Sequence, residues 1–458
     1  MPTALRPALL VLALAACGSA PPSGGEDPSE RIGDPLELAL DYSRDRAGNA
    51  LLVWVDGELV LEWYAPGRQP SDPHILASGT KTLVGVMALA AVEDGLLELD
   101  DPVALHLPEW AGDSPRARVT IRQLLNFTSG LDGTPGRALD FEEAVGQALV
   151  HPPGEGFRYA NAGFEVFGAV LRERLEGEDP VDWFEGRVLH PLGARVGDWS
   201  RTRGDPHLGG GASLTPRDWL AFGRLLLQDG VWEGEEVLDG ARLQLLLKPS
   251  EAAPAYGLGT WLNFPVPEGH PFLDASVVAL QADGPEGLIW SDGPSDLFMA
   301  AGLFNQRLYI VPSRGLVAVR MGGPDQSWDD AEFLARLLEG QELEAARPPR
   351  EVTDEQVELL ANLRLQQVGR ELELTLEQEE ALRPLFRQQM EGLMELSRLQ
   401  GLGPLRRAAA LRRLAREGEE VDAAIEAELT ADQVEAYRAF RARERADFRG
   451  RGPGLGGR

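Results

Sequence analysis

The spacing of hydrophobic and polar positions divides the chain into unlike stretches. Residues 50–64 read as two apolar strands broken at Asp56-Gly57, a two-residue hairpin signal. From residue 78 to about 95 the apolar positions take a helical rhythm, with Leu83, Val84, Met87, Leu89, Ala90 and Val92. Helices and Gly/Pro-rich loops fill the middle of the chain. Strands return at Gln306–Val311 and Leu316–Met321, turned by Pro312-Ser313-Arg314-Gly315, and a helix follows over about 329–338. Strands at both ends with helices between predict an α/β (α+β) domain over residues 36–345. One antiparallel sheet is assembled from the two ends, and a large helical subdomain is inserted beside it.

Around Arg347-Pro348-Pro349-Arg350 the pattern breaks. All ten tryptophans lie before it. Beyond it, Leu382, Leu385, Phe386, Met390, Leu393, Met394 and Leu396 fall at helical spacing. One formula opens three helices: Val352-Thr353-x-x-Gln356, Leu374-Thr375-x-x-Gln378 and Leu429-Thr430-x-x-Gln433. Each reads as a capping box, in which threonine accepts the N3 backbone N–H and glutamine reaches back to the cap. Residues 350–448 are therefore expected to form a separate all-α module. The Gly/Arg-rich residues 449–458 are expected to be disordered.

At the other end, Arg6, an apolar run and small residues form an export signal too short to remain as a span. Cys17 is the only cysteine, so no intramolecular disulfide and no cysteine-based metal site is possible. Residues 18–35, rich in Gly, Pro and Ser, suit a flexible tether. The formal net charge of −29 argues against binding a nucleic-acid backbone. The six histidines show no metal-ligand spacing, and no metal or other cofactor is implied.

Composition sharpens one position. Of forty-four basic residues only Lys81 and Lys248 are lysine. Guanidinium stays charged, whereas an ammonium can lose its proton when buried. Lys81 closes Ser78-Gly79-Thr80-Lys81 at the start of an apolar helix, which places it on the same face as Ser78. The pair fits a serine activated by a neutral amine. Tyr159-Ala160-Asn161 sits in a Gly-rich loop and offers a phenol for proton transfer and an amide for substrate. In Ala300-Ala301-Gly302-Leu303, Gly302 lets substrate lie against an edge strand. The Leu303 N–H is then placed to complete an oxyanion hole with that of Ser78.

In this order the three motifs resemble the serine β-lactamase-like superfamily. It contains penicillin-binding proteins, class C β-lactamases, esterases and 6-aminohexanoate-dimer hydrolases. Residues 124–131, Leu-Leu-Asn-Phe-Thr-Ser-Gly-Leu, are similar to its L-L-x-H-T-S-G-L loop, with Phe127 in place of histidine. Residues 209–218 resemble its G-G-x-x-S/T-x-x-D segment. Gly302-Leu303-Phe304-Asn305-Gln306 resembles the G-x-x-G-Q segment of the dimer-hydrolase branch, with Asn305 in place of glycine. The resemblance implies Ser78 as nucleophile, Lys81 as base, Tyr159 as proton relay and Asn161 as substrate contact. Where relatives carry K-T-G, this chain has Ala300-Ala301-Gly302, so the cation that grips a substrate carboxylate is missing there. Leu14-Ala15-Ala16-Cys17 resembles a bacterial lipobox, implying cleavage before Cys17 and a lipidated thiol. The C-terminal repeats are similar to LTxxQ-type periplasmic helical proteins.

The sequence thus predicts a lipid-anchored serine hydrolase acting on an ester, amide or peptide substrate. Its expected place is the cell envelope, on the periplasmic face of the outer membrane. Its helical tail is expected to pack on the enzyme or form a dimer. Two rivals stand beside it. One is a D,D-carboxypeptidase or β-lactamase with another cation near the site. The other is a non-catalytic envelope protein whose tail carries the function.

Overall fold

The structure, a computed structural model, describes residues 34–113, 115–133, 138–275, 287–323, 325, 327–343, 354–398 and 404–450. Cys17, the tether before Asp34 and the first capping threonine, Thr353, lie outside the described residues.

Six antiparallel strands form the main sheet: β1 (Ala50–Val55), β2 (Glu58–Tyr64), β3 (Trp261–Leu262), β4 (Phe298–Gly302), β5 (Gln306–Val311) and β6 (Leu316–Met321), ordered β3-β4-β5-β6-β1-β2. Both expected hairpins form, β1–β2 and β5–β6. The two ends of the domain meet where β1 pairs with β6, Ala50 opposite Met321 and Val55 opposite Leu316. Strand β4 is an edge only at its far end. β3 pairs with Phe298 and Met299, and among the described residues Ala300–Gly302 have no strand partner on that side.

Helix α1 (Pro35–Asp45), which the sequence reading left as tether and domain edge, starts at Pro35 with Asp34 capping Leu36. Tyr42 on α1 meets Trp328 with ring centroids 5.3 Å apart. Helix α2 (Thr80–Glu93) has every residue from Thr80 to Val92 buried. A helix buried on all faces has no solvent side, so it is a core element. Helix α3 (Ala162–Arg174) lies beside it, and α4 (Pro216–Leu227) packs on the sheet. There Gly223 admits Leu308 and Val317, which a Cβ would meet at 2.6 and 2.7 Å. A three-stranded ribbon, with Ala212–Leu214 between His74–Ile75 and Asp198–Trp199, brings the segment before Ser78 beside residues 209–211. The last helix of the domain, α5, covers Asp330–Glu339.

Among the described residues the tail forms four helices, α6 (Asp354–Leu372), α7 (Leu376–Arg398), α8 (Pro404–Ala427) and α9 (Ala431–Gly450). Helix α9 runs to Gly450, so the expected disorder from 449 is corrected at its first two residues. Alanine- and arginine-rich sequence with few breakers carries the helix on. From the expected stripe, Leu382, Phe386 and Met390 enter a core with Leu365, Ile425 and Phe440. Two capping boxes close as expected. Gln378 N lies 3.3 Å from Thr375 Oγ1, and Thr375 N lies 3.0 Å from Gln378 Oε1. Thr430 and Gln433 repeat this at 3.4 and 3.0 Å. The two glutamines also touch, Gln378 Nε2 donating to Gln433 Oε1 at 2.8 Å, so the repeated cap joins two helix starts.

The tail core also covers Leu303 and Phe304, the turn between β4 and β5. Phe304 and Asn305 both have φ of 59°. Asparagine tolerates this left-handed region, while a phenylalanine there costs about 1–2 kcal/mol. The cost is offset where the ring buries apolar surface against the helices.

Candidate active site

Ser78 stands in a single 3-10 turn, Ala77–Gly79, that feeds directly into α2. Ala77 holds φ at 47°, an uncommon backbone state that turns the chain sharply before the serine. The first turn of α2 is pinned by hydroxyls. Thr80 Oγ1 accepts from Ala212 N at 3.1 Å, and Thr82 Oγ1 donates to Gly259 O at 2.9 Å.

Lys81 is 0% exposed, in contrast to Lys248, which is exposed. Its Nζ lies 2.9 Å from Ser78 Oγ and donates to the Gly209 carbonyl in a short contact. Aromatic faces enclose the amine, with the ring centroids of Tyr159, Phe164 and Phe127 at 5.0, 5.7 and 5.9 Å. Burial drives the amine down to about 7, against the opposing pull of Glu165. A neutral amine that gives one hydrogen to Gly209 can turn its lone pair towards Ser78.

Tyr159 completes the group. Burial pushes its phenol up to about 12, a hydrogen bond from Ser78 and the charge of Arg307 working the other way. It therefore stays protonated through the neutral range and can pass a proton on. Phe127 packs on it at 4.4 Å and Trp261 stacks at 6.2 Å. Asn161 lies against Gly209, where a Cβ would come within 2.7 Å of the Asn161 Cγ. Only glycine admits this approach.

Gly302 presses on the serine turn. A Cβ on it would fall 1.9 Å from Leu76 O and 3.1 Å from Gly79 N. Leu303, next along, carries the other expected oxyanion donor, and its side chain lies against the tail helices. Arg307 holds this corner from behind, donating to Gly302 O at 3.0 Å and binding Asp330 through both carboxylate oxygens at 2.7 and 3.1 Å. Its charge is buried and paired with Asp330. Ala300 is buried as well.

Ser78, Lys81, Tyr159, Asn161 and Gly302 thus converge. The sequence reading missed Glu165. It accepts from Leu208 N at 2.9 Å and Gly209 N at 3.0 Å with separate oxygens. A signal was available: a lone glutamate in Phe164-Glu165-Val166-Phe167, on a helix apolar around it. The aromatic wall was also missed, because Phe127, Phe157, Tyr256, Trp261 and Phe272 come from separate loops, a strand and a 3-10 turn. Among the described residues no group of three or more His, Cys, Asp or Glu could hold a metal ion. No described helix is long and apolar enough to cross a membrane.

The family described as Beta-lactamase matches residues 34–337. The chain is similar to 6-aminohexanoate-dimer hydrolase of Paenarthrobacter ureafaciens, 25% identical over 274 residues, which cover 52% of this chain and 67% of that protein. It also matches protein flp of Staphylococcus aureus strain MW2, 30% identical over 136 residues, 27% of each chain. Among solved structures, EstCE1, a hydrolase with promiscuous acyltransferase activity, superposes with a TM-score of 0.52 at 18% identity, covering 67% of this chain and 98% of that one. The chain belongs to the Beta-lactamase family and is a hydrolase of the serine β-lactamase-like superfamily.

Proposed function

We propose that the protein cleaves an ester or amide through an acyl-enzyme on Ser78. The observation that carries this reading is the Lys81 amine, sealed from water and 2.9 Å from Ser78 Oγ. Lys81 takes the hydroxyl proton as Oγ bonds to the substrate carbonyl carbon. The N–H groups of Ser78 and Leu303 receive the negative charge that develops on the carbonyl oxygen. When the tetrahedral intermediate collapses, the bond to the leaving group breaks. The proton passes from Lys81 through Tyr159 to that group. Water then adds to the acyl carbon, Ser78 recovers its proton, and a carboxylic acid leaves.

Substrate choice follows from what surrounds the serine. Phe127, Tyr256 and Trp261 around Tyr159 favour an apolar group. Ala300 offers no charge to a carboxylate, and Arg307 is spent on Asp330. Short neutral esters are therefore favoured over β-lactams and D-alanyl peptides. Lipidation at Cys17 would tether the enzyme to the cell envelope.

A fluorophosphonate probe tests the nucleophile. It should label Ser78, identified by mass spectrometry, and Ser78→Ala should abolish both labelling and p-nitrophenyl butyrate hydrolysis. No label on Ser78 in folded protein would favour a non-catalytic envelope role. Nitrocefin turnover faster than ester turnover would overturn the substrate ranking. Cys17→Ser should release the protein from membranes without detergent.

A further inference from the structure

Glu165 is 1% exposed and follows Asn161 by one helical turn. It has no direct bond to Ser78 or Lys81. Its two oxygens instead clamp the N–H groups of Leu208 and Gly209 at 2.9 and 3.0 Å. An uncharged amide in its place keeps one acceptor oxygen and turns an NH2 donor towards the other N–H, so the two-oxygen clamp is lost. The clamped residue Gly209 is the one whose carbonyl receives Lys81 Nζ. It is also the one that Asn161 leaves no room to replace. Carboxylate, glycine and amine form one connected line from α3 to the serine.

Resting on the reading of Lys81 as base, we propose that Glu165 is the positioning residue of that base: it fixes the Gly209 carbonyl that aims the amine at Ser78, and its charge sets the pH at which the amine is free to act. Burial alone favours a neutral but weak base, and a nearby carboxylate restores strength by favouring the ammonium. The charges around the pair are few. Ser78 and Tyr159 face the amine together with the Phe127 and Phe164 rings. Burial pushes Glu165 up, and because it and Lys81 act on one another the two titrate as a coupled pair. The Leu208 and Gly209 N–H groups and Lys81 pull Glu165 back, and Asp205 adds to the rise. Asp205 is paired with Arg172. The His207 ring bonds Thr202 Oγ1 at 2.7 Å. Arg307 acts on Tyr159 and is paired with Asp330.

The scarcity of lysine makes a direct test possible. Labelling at lysine 13Cε gives two side-chain signals from the whole chain, Lys81 and Lys248, and a Lys248→Arg variant assigns them. In Glu165→Gln the Lys81 titration should move down by about one pH unit. The acid limb of kcat/KM for ester hydrolysis should move with it, and Lys248 should stay in place. A clamp without electrostatic influence would lower kcat and leave both curves unmoved. That outcome, or a Lys81 curve superposing on the wild type, overturns the proposal. If Glu165→Gln does not fold, the wild type decides. Coupling requires a second inflection in the Lys81 curve as Glu165 titrates, and a single-step curve is the overturning result. The titration needs no turnover. A wild type inactive on every ester would defeat the hydrolytic reading while the measured coupling stood.

Discussion

Lys81 and Arg307 are both shielded from water, at 0% and 3% exposure, yet the protein treats their charges in opposite ways. Around Lys81 it places aromatic rings, a serine and one carbonyl, and keeps the nearest carboxylate beyond direct contact. Burial wins, and the amine can be neutral near pH 7. Around Arg307 it places a bidentate Asp330, itself held by Tyr309 and by Trp328 Nε1 at 2.9 Å. Burial works against both charges there. For Arg307 the attraction of Asp330 outweighs it and the guanidinium is held above its usual range. For Asp330 the charge and hydrogen bonds of Arg307 hold the carboxyl below its usual range. A buried charge meant to be permanent receives a full partner. One meant to be removable receives only a weak one.

The largest test exchanges one treatment for the other. Lys81→Arg keeps the charge and removes the titratable amine. Ester turnover should fall on the order of 10³-fold, measured beside a circular-dichroism spectrum that shows the fold intact. Near-normal turnover would sink the mechanism.

Removing the permanent partner comes next. Asp330→Asn leaves Arg307 buried without a counter-charge and should cost about 3–5 kcal/mol in denaturant unfolding. Because the folded carboxyl lies below its ordinary value of 3.8, the wild type's advantage is present above that pH. It is lost as the pH falls through the lower folded value.

For Lys81 the sign reverses. Its folded value lies below the ordinary 10.5, so protonation penalises the folded state. The penalty is full below about 7 and vanishes as the pH approaches 10.5. Lys81→Met should therefore raise Tm most at pH 6, with the gain fading towards alkaline pH. A gain that does not vary with pH would mean that packing, and not charge, is responsible.

The smallest effect concerns the tail. Its helices cover Leu303 and Phe304, but the turn is also held from the hydrolase side. Arg307 bonds Gly302 O at 3.0 Å, Arg320 bonds Asn305 O at 2.8 Å, and Gln306 bonds Gly322 O at 3.0 Å. A stop after Gln341 should leave a folded enzyme with turnover within a few-fold of the full chain. A larger loss would show that the tail supports the oxyanion corner, and the division near Pro348-Pro349 would not be a functional one.

The sequence by itself determined the features that rest on local physics. Hairpin turns, the all-apolar helix behind Ser78 and the Thr-x-x-Gln caps are decided by neighbours a few residues away, so their patterns are legible in one dimension. The Ser78–Lys81 pair was legible for the same reason, since helical spacing alone brings them together. Tertiary structure decided what distant segments share. It closed β1 onto β6, spent Arg307 on Asp330, built the wall around Tyr159 from separate loops and set Glu165 beneath Gly209. A residue's charge state depends on desolvation and on partners as far as 128 positions away, as Gly209 is from Lys81. No pattern along the chain encodes those distances, and only the folded packing does.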